Sequence, residues 1–161
     1  MSFWNKYKSL ALIVIVTYLI SVPAGFITAQ SVGTWYTNII RPSFSPPNWI
    51  FGPVWTTLYS LMSVAVWNIW NELKNTNPAY AKKIVSIYLI HLLVGASWSF
   101  VFFGYYQIGM GAFIIILILL FIIYLMRIYW NISKISFYLM VPYLLWSCFA
   151  LILNIAIWKL N

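Results

Sequence analysis

Five apolar stretches, near residues 7–29, 46–70, 80–103, 106–127 and 135–158, take up most of this 161-residue chain. A helix that crosses a bilayer needs about 20 mainly apolar residues, and each stretch reaches that length. The residues are 64% hydrophobic and 6% charged, with a mean hydropathy of +0.92, which excludes a soluble globule. The pattern predicts an all-α integral membrane protein: one compact bundle of five transmembrane helices, with no length left for a separate soluble domain within 1–161. The connections Asn71–Ala79, Gly104–Gly109 and Ile132–Ser136 are short, so successive helices are expected to be antiparallel neighbours. Only the polar, turn-rich segment Gln30–Ser45 is long enough to fold over the bundle, and it is expected to act as a lid.

A formal net charge of +8 would point to nucleic acid in a soluble protein. Here its distribution points to the bilayer instead. Lys6, Lys8, Lys74, Lys82, Lys83, Arg127 and Lys134 fall on one side of a five-span arrangement, and Arg41 and Lys159 on the other. This positive-inside bias puts the N-terminus in the cytoplasm if the host is a bacterial inner membrane. The same basic residues suit anionic lipid headgroups. Lys6 and Lys8 ahead of an apolar run also resemble a secretory signal, but the run has the length of a span, so a retained first helix is expected.

Counting excludes most catalysis. Glu72 is the single acid, His91 the single histidine and Cys148 the single cysteine. Carboxylate pairs, Ser-His-Asp triads, two-metal hydrolysis, an intramolecular disulfide and a protein-only metal site are all excluded. A phosphate-binding glycine loop is also lacking, which argues against an ATP-driven pump.

The chain's most specific stretch is Arg41–Tyr59, RPSFSPPNWIFGPVWTTLY, with four prolines and two tryptophans at the mouth of an apolar helix. Ser45 is expected to cap that helix, with Pro46 and Pro47 in its first turn. Gly52-Pro53 is expected to kink it, the glycine permitting close backbone approach. Helical spacing puts His91, Gly95, Trp98 and Phe102 on one face of the third span, and Trp146, Ala150, Leu153 and Asn154 on one face of the fifth. The second span adds Trp55 and Tyr59. Flat aromatic walls, gaps at small residues and a few polar tips suit a large, planar, mostly apolar ligand.

With 10 tryptophans and 12 tyrosines, many rings must serve as interface anchors, and Trp4, Trp67, Trp70, Trp130 and Trp158 near span ends are read so. Trp49, Trp55, Trp98 and Trp146 are read as pocket lining. His91 is open to three roles: hydrogen bonding between helices, ligand contact, or one axial ligand to haem iron. Asn154 either ties helices or touches ligand. Gly104, Gly109 and Gly111 and the pair Gly95/Ser99 invite close helix contact, within one chain or in a homodimer.

The Arg41–Tyr59 stretch resembles the signature of the translocator protein family, also called tryptophan-rich sensory protein or TspO/MBR. Val141-Pro142-Tyr143-Leu144-Leu145-Trp146 with Ala150 and Leu153-Asn154 is similar to the family's last helix, Phe102-Phe103-Gly104 with Gln107 to its third-to-fourth junction, and Trp35-Tyr36 to the loop before the signature. The resemblance implies a pocket, Trp35 among its ligand contacts, that takes protoporphyrin IX, haem and other flat hydrophobic molecules, in a bacterial-type member acting in tetrapyrrole sensing, transport or homeostasis as a homodimer, with no cofactor required. It also implies two alternatives: an enzyme for light- and oxygen-dependent protoporphyrin breakdown through Trp55 and Trp146, or a structural or regulatory membrane scaffold. Departures from the family pattern are Ile155 where the animal sterol motif has tyrosine, Gly95-Ala96 in place of an Asn-Trp pair, Met110 in place of tryptophan, and Phe44 in place of a more usual tryptophan.

Overall fold

The computed structural model describes residues 3–161, with side chains from residue 7 onward; the side chains of Trp4 and Lys6 lie outside the described residues. It is all-helical there: α1 (Phe3–Val32), α2 (Trp35–Asn38), α3 (Phe51–Leu73), α4 (Pro78–Ser99), α5 (Ile108–Ile132) and α6 (Lys134–Leu160). A 3₁₀ turn, Asn48–Ile50, precedes α3, and a π turn, Phe100–Gly104, ends α4. Five segments are long and apolar enough to cross a membrane: Tyr7–Val32, Asn48–Leu73, Pro78–Gly104, Ile108–Ile132 and Lys134–Leu160. The protein is an integral, multi-pass, all-α bundle.

The five long helices close a ring in the order α1, α3, α6, α5, α4, with α4 returning to α1 and α3 also meeting α4 across it. Lipid tails are as apolar as leucine, so small residues and hydrogen bonds, rather than apolarity alone, decide which face turns inward. On α1 the inward stripe is Thr17, Ser21, Ala24, Thr28 and Ser31, while Leu12, Ile15, Leu19, Val22 and Phe26 face outward. Thr17 Oγ1 and the Tyr88 hydroxyl lie 2.8 Å apart, Ser63 donates to Thr17 at 3.1 Å, Thr28 donates to Ser99 at 3.2 Å, and Ser31 donates to the Phe103 carbonyl at 2.8 Å. Each satisfied hydroxyl locks α1 to α3, to α4 or to the π turn that ends it.

Two glycines of α5 are used by packing inside the chain. A Cβ at Gly109 would lie 2.8 Å from the Trp158 ring, and one at Gly111 would lie 2.9 Å from Asn154 Oδ1. The pair Gly95/Ser99 separates: a Cβ at Gly95 would meet nothing within 4 Å, whereas Ser99 is buried against Thr28.

The entrance to α3 differs from expectation. Ser45 is not its cap. Proline disfavours helical geometry in the residue before it, so the Pro46-Pro47 pair keeps residues 45–47 out of the helix, and Pro47 itself is extended (φ −56°, ψ 142°). The 3₁₀ turn then starts at Asn48, and Pro53 falls in the first α turn, where its missing N–H leaves no internal bond unmade. Gly52-Pro53 thus lies just after a change of helix type, from 3₁₀ to α. Gly52 is not a point of close approach either, since a Cβ there would meet nothing within 4 Å. At the start of α4, Asn77 Oδ1 accepts from the Tyr80 N–H at 3.1 Å, with Pro78 opening the helix.

The lid is pinned at three points. Tyr36, 2% exposed, plugs the bundle between Phe51, Phe102 and Phe103. Arg41 lies over the Tyr36 ring, 5.1 Å from its centroid, and donates to Asn48 Oδ1 at 3.2 Å. Asn161 both donates to and accepts from the Ile40 backbone, at 2.9 and 3.0 Å.

Candidate functional site

Beneath the lid, α1 and α3 diverge around a cleft of about 560 Å³, within the size range of small-molecule sites. Its α3 wall is Phe51, Gly52, Trp55, Thr56 and Tyr59, with Asn48 and Trp49 at the mouth. Its α1 wall is the turn-by-turn run Tyr18, Ser21, Gly25, Thr28 and Val32, and Ser99 closes the floor. The lining is mainly apolar with a few hydroxyls. Gly25 and Gly52 help to make the space, because neither has a neighbour in the direction a side chain would take.

Trp55 and Phe51 also line a second, inner compartment between α3, α4 and α6, together with Tyr36, Trp98, Trp146, Ala150, Leu153 and Asn154. Its cavity volume is only about 30 Å³, far below the 560 Å³ of the cleft. Aromatic side chains crowd it. Trp98 stacks on Phe102 at 5.1 Å and donates to Asn154 Oδ1 at 3.2 Å, while Asn154 Nδ2 donates to the Ile108 carbonyl at 2.7 Å. Trp146 meets Phe149 at 5.4 Å and Phe51 at 6.2 Å. Asn154 therefore ties α4, α5 and α6 together and at the same time forms part of the compartment wall.

Trp55 is the partition between the two spaces. Its ring stacks on Tyr59 at 5.4 Å and 26°, and meets Tyr143 edge-on at 6.2 Å. Of the residues singled out from sequence, Trp49, Trp55 and Tyr59 reach the cleft, and Trp55, Trp98, Trp146, Ala150, Leu153 and Asn154 reach the inner compartment. Trp35 and His91 line neither. Trp35 instead packs at the base of the lid, edge-on to Phe102 and Phe103 and with its ring tilted 37° to that of Tyr106 at a centroid distance of 4.7 Å, Tyr106 being a non-glycine residue in left-handed backbone geometry (φ 58°). His91 is fully buried, with Nε2 3.0 Å from the Tyr143 hydroxyl.

Sequence reasoning missed the α1 wall. The signal was available: Tyr18, Ser21, Gly25, Thr28 and Val32 step by three and four, the spacing of one helix face. No tryptophan marked it, so attention went to the tryptophan-bearing spans.

Around the mouth, Arg41 lines an open groove of about 800 Å³ with Thr37, Pro42, Pro47, Asn48 and Trp49, the last two shared with the cleft. Tyr36 below it has its phenol pKa raised from 10.0 by burial, with the Arg41 guanidinium opposing that rise. A fixed cation thus stands at the edge of an apolar cleft.

A ring of five spanning helices with a pinned outer segment defines a polytopic, all-α membrane protein of the five-helix type. The TspO/MBR family profile matches residues 9–159, and the chain belongs to that family. It is 37% identical over 143 residues to the tryptophan-rich protein TspO of Archaeoglobus fulgidus, covering 88% of this chain and 90% of that one. It is 32% identical over 157 residues to the tryptophan-rich protein TspO of Chlorobaculum tepidum, with 98% of both chains covered. The human translocator protein is 31% identical over 157 residues, covering 87% and 90%.

Proposed function

We propose that the cleft between α1 and α3 is a tetrapyrrole site and that the protein binds protoporphyrin IX, haem and related flat hydrophobic molecules in sensing, transport or homeostasis. One observation carries the reading: about 560 Å³ of mainly apolar space with the stacked rings of Trp55 and Tyr59 in its wall. A flat macrocycle stacks on such a wall. Arg41 at the mouth suits the carboxylates that an apolar cleft excludes. The names of the relatives, sensory and translocator, fit binding without stating a reaction.

A second reading, light- and oxygen-dependent breakdown of bound protoporphyrin, is favoured by the position of Trp55 between the cleft and the Trp146 compartment. An excited macrocycle stacked on an indole is placed to oxidise it, and the protein's share of that chemistry is to hold the two in contact. In this reading Trp55 is the primary partner, and Trp146 acts behind it through Phe51. The host is proposed to be a bacterial inner membrane with the N-terminus in the cytoplasm, given the basic residues at the α3–α4 and α5–α6 turns, and the protein is proposed to work as a homodimer.

The test is titration of protoporphyrin IX into detergent-purified protein, in the dark and then under illumination, following tryptophan quenching and porphyrin absorbance. Saturable quenching that weakens in Trp55→Phe supports the site. Product formation lost in Trp55→Phe and Trp146→Phe supports breakdown. Lack of binding by the unmodified chain overturns the tetrapyrrole assignment.

A further inference from the structure

The third and fifth spanning helices share a buried polar pair. Tyr143, 2% exposed, and His91, 0% exposed, face each other across α6 and α4 with 3.0 Å between the phenolic oxygen and Nε2. Neither borders the cleft or the inner compartment. Nδ1 of His91 has no hydrogen-bond partner, and the ring's neighbours are Tyr88, Phe121 and Tyr143. The sole acid of the chain, Glu72, sits at the far end of α3.

A polar pair costs free energy inside a bundle where an apolar one would pack as well, so its position is informative. Tyr143 is the ring that joins it to the ligand space: its edge meets Trp55 with centroids 6.2 Å apart, and Trp55 is the cleft wall. A path of touching groups therefore runs from the cleft through Trp55 to Tyr143 and ends on His91.

We infer that Tyr143 and His91 form a proton-coupled relay that returns an electron to Trp55 after the indole has been oxidised. The inference rests on the tetrapyrrole reading for its oxidant: a photoexcited tetrapyrrole takes one electron from Trp55 and passes it to dioxygen, leaving superoxide and an indole radical cation. Tyr143 then gives one electron to the indole. Its O–H bond breaks, and the proton moves along the existing hydrogen bond to the lone pair of His91 Nε2, whose other nitrogen carries the ring's proton. The products are a neutral indole, a neutral tyrosyl radical and an imidazolium, so charge and atoms balance. Losing the proton is what makes a phenol a better electron donor than an indole, and a neutral imidazole in contact is the group that takes it. The superoxide formed in the first step then gives one electron back to the tyrosyl radical and becomes dioxygen again, and the imidazolium, unpartnered at Nδ1, returns its proton to the phenolate oxygen. Tyr143 and His91 are thus relay residues that act through Trp55 and keep a spent indole from reacting covalently with the bound macrocycle.

Two arms test this separately from the tetrapyrrole reading. In the first, protein loaded with protoporphyrin IX is illuminated in air, freeze-trapped and observed by electron paramagnetic resonance with ring-deuterated tyrosine incorporated. A tyrosyl signal is expected that is lost in Tyr143→Phe and in Trp55→Phe. In His91→Phe the indole signal is expected to persist in its place. In the second arm, azide radicals made by pulse radiolysis oxidise tryptophan in ligand-free protein. The fast indole-to-tyrosyl conversion is expected to fall by the same fraction in Tyr143→Phe as in Trp55→Phe, and to slow in heavy water. Helical circular dichroism matching the unmodified protein shows that each variant is folded. Equal fast conversion in Tyr143→Phe and the unmodified protein in the azide arm overturns the relay, even if porphyrin binds. A relay that depends on Tyr143 in the azide arm, with no porphyrin binding in the first, upholds the relay and overturns the ligand.

Discussion

Replacing Gly111 by alanine adds one methyl group at the most crowded point of the inner compartment. The new Cβ would stand 2.9 Å from Asn154 Oδ1, 3.0 Å from a Phe102 ring carbon and 3.3 Å from Trp98 Nε1. None of the three has room to retreat. The Asn154 amide is held by its 2.7 Å bond to the Ile108 carbonyl, and Phe102 is sandwiched between Trp98 at 5.1 Å and Phe103 at 4.8 Å. The least costly escape is to push Oδ1 away from Trp98, breaking the 3.2 Å bond. Overpacking costs about 1–3 kcal/mol, a lost bond about 1 kcal/mol, and alanine's better helix propensity returns at most about 1 kcal/mol. A net loss of about 1–3 kcal/mol follows. The assay is unfolding of the detergent-solubilised protein followed by circular dichroism, with Gly25→Ala as control, because its Cβ meets nothing within 4 Å and the same change there is expected to be neutral or stabilising. In an Asn154→Ala background the closest atom is gone, so the cost of Gly111→Ala should shrink. Equal stability of Gly111→Ala and Gly25→Ala would refute the packing.

Other perturbations have equally definite outcomes. Asn161→Ala removes both bonds to Ile40, and amide hydrogen exchange of the lid should quicken, at a cost of about 1 kcal/mol for an exposed clamp. The raised pKa of Tyr36 gives lid docking a stability that is complete below about pH 10, the ordinary phenol value, and is lost as pH rises through the higher folded value. Protection of the lid amides, with the base-catalysed intrinsic rate divided out, should therefore stay flat to about pH 10 and fall beyond it, and Tyr36→Phe should abolish that fall. Trp98→Phe removes the donor to Asn154 Oδ1 without opening the cleft. Porphyrin affinity should change little while thermal stability falls by about 1 kcal/mol.

The architecture was legible because membrane spans announce themselves: an apolar run of span length has few alternatives to a helix, and the polar gaps between runs set the connections. Asn77-Pro78 was equally readable, since cap and proline occupy the two positions that suit them. Ser45 misled because a serine before Pro-Pro satisfies the local rule for a cap, whereas the second proline forbids helical geometry in the first. Half of the site was legible for a related reason. Trp55, Tyr59, Trp98, Trp146 and Asn154 carry distinctive chemistry at helical spacing, and all border one of the two cavities. His91 looked functional by its rarity, yet what it touches depends on which helix lies opposite, and spacing within α4 does not contain that. The same holds for the α1 wall, where what matters is the space left between two helices.

The central claim is that the space beside Trp55 holds the ligand, and filling it tests that most directly. Gly25 and Gly52 line the cleft and a Cβ at either meets nothing within 4 Å, so a leucine there starts in open space and is expected to take up ligand volume. Protoporphyrin IX titrations, read by tryptophan quenching, should show saturable binding to the unmodified protein and none, or binding weakened by more than tenfold (about 1.4 kcal/mol), to Gly25→Leu and Gly52→Leu of undiminished stability. Unchanged affinity in both variants would place the ligand elsewhere and contradict the account.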